Sequence, residues 1–257
     1  MHLQTLTAPD VMLKKSELLN VIILLYKNNQ FAGFLNSFDI EICGKPMWQY
    51  VECATSAYPT KTTLCTHSTN IYSLIRPMLT NSKFTLVLFS DTPLITKQTV
   101  EEIAQYVMQN NITCHKLVRG FVFDTEFVKN AQSLANDDIL YFGDEDFTTV
   151  FDLKQLEFVS SIMKTRILEC HQRNGVLIED NLTTFIDFDV KIECGVVVEP
   201  LCIVKGKTQI GKNTKILAGS YLENAKIGNN CIIQKSFIKN AVILPCTQTK
   251  PFEIIER

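Results

Sequence analysis

The sequence predicts an α/β domain, then one long helix, then a left-handed parallel β-helix of hexapeptide repeats. Three observations carry this. An aliphatic residue recurs nearly every six positions from Ile186 to Leu244. Continuous apolar runs alternate with helical patterns from about residue 19 to 134. Between these regions lies an amphipathic stretch, DLKQLEFVSSIMKTRILECHQRNG.

The repeat is the strongest signal. Its aliphatic positions are Ile186, Ile192, Val198, Val204, Ile210, Ile216, Leu222, Ile227, Ile233, Ile238 and Leu244, with two of the ten steps five residues long. A small or branched residue follows each of the first six by four positions: Val190, Val196, Cys202, Thr208, Thr214 and Ser220. Turn formers such as Lys205-Gly206 and Gly228-Asn229-Asn230 stand between them. A helix cannot keep one face apolar at period six, because that angle drifts around its axis. A short strand and a corner can, and three such sides close a triangular coil that stacks on the next through backbone hydrogen bonds. Each aliphatic then points inward and each small residue fills a corner. Cys202 and Cys231 fall on inward corner positions, as fillers rather than nucleophiles.

In the preceding segment Leu153, Leu156, Val159, Met163, Ile167 and Cys170 fall at helical spacing. Asp152 is the expected N-cap and Asn174-Gly175 the expected stop. The predicted boundaries are an α/β domain over 1–151, a linker helix over 152–174 and the β-helix with its tail over 175–257.

The first region reads as a parallel, doubly wound pattern. Strands are expected at Asn20–Tyr26, Thr62–Cys65, Phe84–Ser90, Thr113–Val118 and Gly120–Phe123. Helices are expected at Pro46–Ser56, Ile71–Leu79, Thr96–Met108 and from Asp124 to about Leu134. The runs NVIILLY and FTLVLFS carry continuous apolar stretches, VIILL and LVLF, which suits strands covered on both faces. In such sheets ligands sit beyond the C-terminal strand ends, which places Leu25–Phe31 and Asp91 at the rim.

A net charge of −2 implies no surface for nucleic acid. No apolar run approaches the roughly 20 residues of a membrane span. The opening MHLQTLTAPDVMLKK lacks the order of a signal peptide, and nine scattered cysteines without a C-x-x-C pair read as free thiols, so a cytoplasmic protein is expected.

The segments VIILLYKNNQFAGF, ICGKPMWQYV, TLVLFSDTPLITKQTV, HQRNGVLI, FIDFDVKIECGVVVEP and VKGKTQIGKNTKI occur in this order. They resemble the bacterial bifunctional N-acetylglucosamine-1-phosphate uridyltransferase/glucosamine-1-phosphate acetyltransferase family. The resemblance implies a Rossmann-like nucleotidyltransferase domain, here truncated, a linking helix and a trimeric left-handed β-helix. It also implies a nucleotide or sugar-nucleotide ligand.

The departures bear on function. The family's Gly-rich phosphate loop is replaced by Leu24-Leu25-Tyr26-Lys27-Asn28-Asn29-Gln30-Phe31-Ala32, which holds no glycine, and Phe31 stands near the family's Arg. The family's phosphate-binding Lys falls near Ser37-Phe38, its uracil-reading residues have no counterpart around His67–Leu74, and its second metal-binding residue aligns with Phe151. Asp91, in Ser90-Asp91-Thr92-Pro93, matches the aspartate that holds Mg²⁺ in the family. A lone carboxylate is a poor Mg²⁺ site, so a cap on the following turn or helix competes with that role. Lys27 and Lys45 are candidate anion-binding residues at the rim. The acetyltransferase site of the family lies in later coils and includes a histidine, whereas the last histidine here is His171.

Two readings follow. One is a catalytically degenerate nucleotidyltransferase-like protein, acting as an assembly or regulatory module and held as a homotrimer by its β-helix. The other is a diverged Mg²⁺-dependent nucleotidyltransferase that uses Asp91 on a sugar phosphate or similar small substrate.

Overall fold

The computed structural model describes residues 14–27, 37–66, 70–110, 112–130, 139–143 and 145–256. The chain divides into two compact units, residues 1–29 with 48–149 and residues 30–47 with 150–257.

The first unit is built on a six-stranded mixed sheet. Its strands are β1 (Leu19–Tyr26), β4 (Thr60–Cys65), β5 (Phe84–Phe89), β6 (Cys114–Leu117), β7 (Gly120–Asp124) and β8 (Ile139–Leu140), in the order β4-β1-β5-β7-β6-β8. The short strands β2 (Glu41–Ile42) and β3 (Lys45–Pro46) form a separate hairpin in the second unit. Every residue of β1 from Leu19 to Leu24 is buried, the polar Asn20 included, and the apolar run that starts at Val21 requires cover on both faces. Side-chain alternation divides that burial. Val21 and Ile23 pack with Val51 of α2 (Met47–Thr55) and with Val100, Ile103 and Val107 of α4 (Lys97–Gln109). Ile22 and Leu24 pack with Tyr72 and Ile75 of α3 (Ile71–Ile75) and Val128 of α5 (Thr125–Asn130). Helices therefore cover both sheet faces.

The expected all-parallel sheet is corrected at one place. Strands β4, β1 and β5 run parallel, but β7 is antiparallel to both β5 and β6. Only Val118 and Arg119 join β6 to β7, and so short a connection allows a hairpin but no crossover. The helix expected over 71–79 stops at Ile75 and tightens into a 3₁₀ turn over Arg76–Met78, where Pro77 has no N–H to continue the ladder. The expected continuation of α5 to Leu134 lies outside the described residues.

In the second unit α6 (Leu153–Arg173) begins at Asp152, whose side chain accepts from the Gln155 backbone N–H at 2.8 Å. It ends at Asn174 and Gly175, the latter at φ +85°. Val159, Met163 and Ile167 are buried, while Leu153 and Cys170 are exposed, so the apolar stripe is narrower than its spacing predicts.

The repeat region folds as a parallel β-helix with three sheet faces. Its first coils hold β9 (Leu177–Ile178), β10 (Phe185–Ile186), β11 (Lys191–Ile192), β12 (Val197–Val198), β13 (Ile203–Lys205), β14 (Gln209–Ile210) and β15 (Lys215–Ile216). Its later coils hold β16 (Tyr221–Glu223), β17 (Lys226–Ile227), β18 (Ile232–Ile233), β19 (Phe237–Lys239), β20 (Val242–Ile243) and β21 (Ile254–Glu256). The faces are β10-β13-β16-β19-β21, β11-β14-β17-β20 and β9-β12-β15-β18. In-register pairing stacks the inward aliphatics into columns, such as Ile192–Ile210–Ile227–Ile243, all buried. Cys202 and Cys231 are fully buried at their corners, with Sγ 3.3 Å and 3.2 Å from the Leu217 and Leu244 carbonyl oxygens.

One expectation fails at the last coil. Leu244 is 70% exposed, and its neighbour Ile243, 7% exposed, is the inward residue instead. The step from Ile238 is therefore five residues, like the steps Leu222 to Ile227 and Ile233 to Ile238. Each shortened corner turns on a non-glycine residue at positive φ: Asn224 at 50°, Lys235 at 36° and Asn240 at 51°. The longer corner after Val204 turns instead on Gly206 at φ +66°, where an added Cβ would lie 2.3 Å from Asn224 Oδ1 in the next coil. Along one edge of the first face Lys205, Glu223, Lys239 and Glu256 stack in register with alternating charge.

Candidate functional site

The C-terminal ends of β1 and β5 form the rim where a doubly wound sheet places its ligands. The chain leaves β1 through Tyr26 and Lys27 and leaves β5 through Ser90 and Asp91. Backbone and side chain tie the two exits together. The Ser90 N–H donates to the Leu24 carbonyl at 2.9 Å, and the Tyr26 N–H donates to Ser90 Oγ at 3.0 Å. The Lys27 N–H donates to the Cys65 carbonyl at 3.0 Å, fixing the end of β4 alongside.

The β6–β7 hairpin adds a residue that sequence reasoning missed. Because β7 runs antiparallel to β5, the turn before Gly120 arrives at the C-terminal end of β5. Arg119 there donates from Nε to Asp91 Oδ1 at 3.1 Å and from Nη2 to Asp91 Oδ2 at 2.6 Å. Its guanidinium carbon lies 4.1 Å from the Phe89 ring centroid and 4.9 Å from that of Tyr26, so the fork rests on two aromatic faces. The signal in the sequence is a single arginine in a two-residue connection, legible only once the hairpin is known.

Burial shapes the electrostatics. The Asp91 side chain is 7% exposed and that of Arg119 28%. Burial pushes the Asp91 carboxyl above its usual range, and the Arg119 hydrogen bonds and charge pull the other way. Burial likewise raises the Tyr26 hydroxyl and the Cys65 thiol, opposed in each case by Arg119. The rim is thus a neutralised ion pair on aromatic faces, with Lys27 exposed beside the end of β1.

Asp91 does not cap the following helix. Thr96 does, accepting from the Thr99 N–H at 3.1 Å. Lys45 belongs to the second unit, where its ammonium lies 2.9 Å from Asp189 Oδ1 and 4.2 Å from the Phe188 ring centroid. Phe38 is buried and Phe151 is half-exposed, both in that same unit. The glycine-free stretch ends at Ala32, just before Gly33, and residues 28–36 lie outside the described residues, as do residues 67–69. Among the described residues no three His, Cys, Asp or Glu side chains gather to hold a metal ion. No helix among them is long and apolar enough to cross a membrane.

No family model matches the chain. Curated relatives do. The bifunctional protein GlmU of Streptococcus agalactiae is 35% identical over 103 residues, 40% of this chain and 22% of the relative. That of Lactobacillus johnsonii is 44% identical over 92 residues, 36% of this chain and 20% of the relative. That of Thermoanaerobacter pseudethanolicus is 36% identical over 118 residues, 44% of this chain and 26% of the relative. The matched stretch thus spans about a quarter or less of these relatives' length. Among solved structures, 4-diphosphocytidyl-2C-methyl-D-erythritolsynthase from Anaerococcus prevotii aligns at a TM-score of 0.42 and 8% identity, over 58% of this chain and 99% of that one. Over these stretches the chain is similar to the bifunctional protein GlmU, of which it spans only a part.

Proposed function

We propose that the chain is a nucleotidyltransferase-like protein that has lost transferase chemistry and serves as an assembly or regulatory module. The carrying observation is the Asp91–Arg119 pair. Both carboxylate oxygens accept from one guanidinium. A divalent cation at Asp91 would displace those bonds and stand against a fixed positive charge, so the residues at this rim do not suit Mg²⁺. Nucleotidyl transfer depends on positioning and charge neutralisation. The sequence from Leu24 to Ala32 holds no glycine and offers little for wrapping a triphosphate, which supports the same reading. The diverged Mg²⁺-dependent enzyme remains the second reading, favoured by the place of Asp91 at the C-terminal end of β5.

The test is incubation of the purified chain with UTP, N-acetylglucosamine-1-phosphate and Mg²⁺. We expect no pyrophosphate release. Release that disappears in Asp91→Ala would overturn the reading.

The β-helix supports assembly as a homotrimer. Val197, Leu217 and Ile232 point away from its core and are only partly covered within one chain. Cyclic symmetry would cover such residues without leaving a free face. Light scattering on the eluting protein is expected to give three times the chain mass. A value near 29.2 kDa would exclude the trimer.

A further inference from the structure

A second concavity lies wholly within the second unit, far along the sequence from the rim residues. Its volume is about 510 Å³, and its lining is mostly apolar. Small-molecule sites run from roughly 300 to 1,000 Å³. One wall is the middle of α6, with Ser160, Ser161 and Lys164. The other is the outer surface of the first β-helix coils, with Phe185, Ile203 and Lys205. Cys43, in the β2–β3 hairpin, and Asp187 also line it.

The charges in this groove are unequally engaged. Asp187 Oδ2 already accepts from the Gly206 N–H at 2.9 Å. Lys164 donates to the Leu182 carbonyl at 2.6 Å, and its ammonium lies 3.9 Å from the Phe185 ring centroid. One carbonyl takes one of three N–H donors and neutralises no charge. The rung neighbour of Lys205 is Glu223, which accepts from the Tyr221 hydroxyl at 2.6 Å and lies 3.4 Å from Lys239, so Lys205 shares that one carboxylate with a second ammonium. Two ammonium groups thus border an apolar floor that offers one carboxylate, itself hydrogen-bonded to backbone. The Phe185 ring is 52% exposed there. An apolar body against Phe185 and Ile203, with an anionic end between the two lysines, complements both features.

We propose that this groove, between α6 and the first β-helix coils, binds a small amphipathic monoanion: a flat or linear apolar body ending in one carboxylate or sulfonate. The Cys43 thiol at its edge is a lining group and not a nucleophile. Burial, with the Asp187 carboxylate close by, pushes that thiol up to about 11.

The test uses the whole chain and 8-anilinonaphthalene-1-sulfonate, read by fluorescence and by calorimetry. We expect saturable one-to-one binding that decanoate displaces and decanol does not. Lys205→Met is expected to weaken binding by about tenfold. Lys226→Met, a lysine on another face of the same β-helix, is expected to leave it unchanged. Ile203→Trp fills the groove and should abolish binding. Melting temperatures of all three variants establish that each is folded. Non-saturable fluorescence, equal displacement by decanol, or unaltered affinity in both folded Lys205→Met and folded Ile203→Trp would overturn the proposal. The pyrophosphate assay does not depend on this groove, so the two readings fail separately.

Discussion

Arg119 holds both oxygens of Asp91, at 3.1 and 2.6 Å, although 28 positions separate the two residues. The pair is stable because each member satisfies the other and the Asp91 carboxylate is almost wholly buried. Removing one member should therefore harm the fold more than removing both charges. Arg119→Met keeps the packing on Phe89 but leaves a buried, unpaired carboxylate, and is expected to cost about 3 kcal/mol. Arg119→Met combined with Asp91→Asn should recover much of that loss. Urea unfolding of the four proteins in this cycle measures the coupling. Additive losses would mean that the pair contributes nothing.

The inward columns of the β-helix give a second prediction. Ile210 is 1% exposed and stacks between Ile192 and Ile227. Ile210→Asp buries an unpaired carboxylate there, at a cost of several kcal/mol. The variant is expected to be insoluble or unfolded. Normal expression with an unchanged melting temperature would contradict the inward placement.

Two glycines separate backbone strain from collision. Gly206 and Gly219 have similar positive φ, +66° and +75°. A Cβ at Gly219 meets first the Lys235 side chain at 3.5 Å, an ordinary contact. At Gly206 it meets Asn224 Oδ1, which is fixed by the Lys207 N–H at 3.0 Å. Gly219→Ala should therefore cost about 1 kcal/mol, from the left-handed backbone alone. Gly206→Ala should cost about 2–3 kcal/mol, because the close contact adds to that strain. Equal losses in thermal or urea unfolding would show that the Asn224 amide moves aside freely.

His171, buried in the last turns of α6, makes stability depend on pH. Burial holds its imidazole below the usual value of 6.5. The unfolded chain therefore binds a proton that the folded chain resists. Stability is complete above pH 6.5 and falls as pH drops through that value toward the lower folded pKa. Melting temperatures between pH 7.5 and pH 5 should decline more steeply for the native chain than for His171→Leu. Parallel declines would place the acid sensitivity elsewhere.

The β-helix was legible because its period is a geometric demand repeated eleven times, and a few misread positions do not hide it. The misreading at Leu244 has a local cause. Ile243 and Leu244 are adjacent aliphatics, either of which continues the pattern, and only the corner at Asn240 decides between them. The strands of the first unit were legible as apolar runs, but the direction of β7 was not, since hydrophobicity carries no sign of direction. The candidate site suffered from the same blindness. Asp91 was visible in Ser90-Asp91-Thr92-Pro93, but its partner depends on a hairpin that turns back along β5. Pairing over such a separation is set by topology, which periodicity does not encode.

The alternating rungs Lys205, Glu223, Lys239 and Glu256 give the β-helix a second, longer period. Its apolar interior is indifferent to how many coils are present, since any inward aliphatic stacks on any other. Its charged edge is not indifferent. Excising one coil would set Lys205 against Lys239, or Glu223 against Glu256, whereas excising two would restore opposite neighbours. Along this edge, coils are interchangeable in pairs rather than singly, a parity rule for shortening, lengthening or grafting the solenoid.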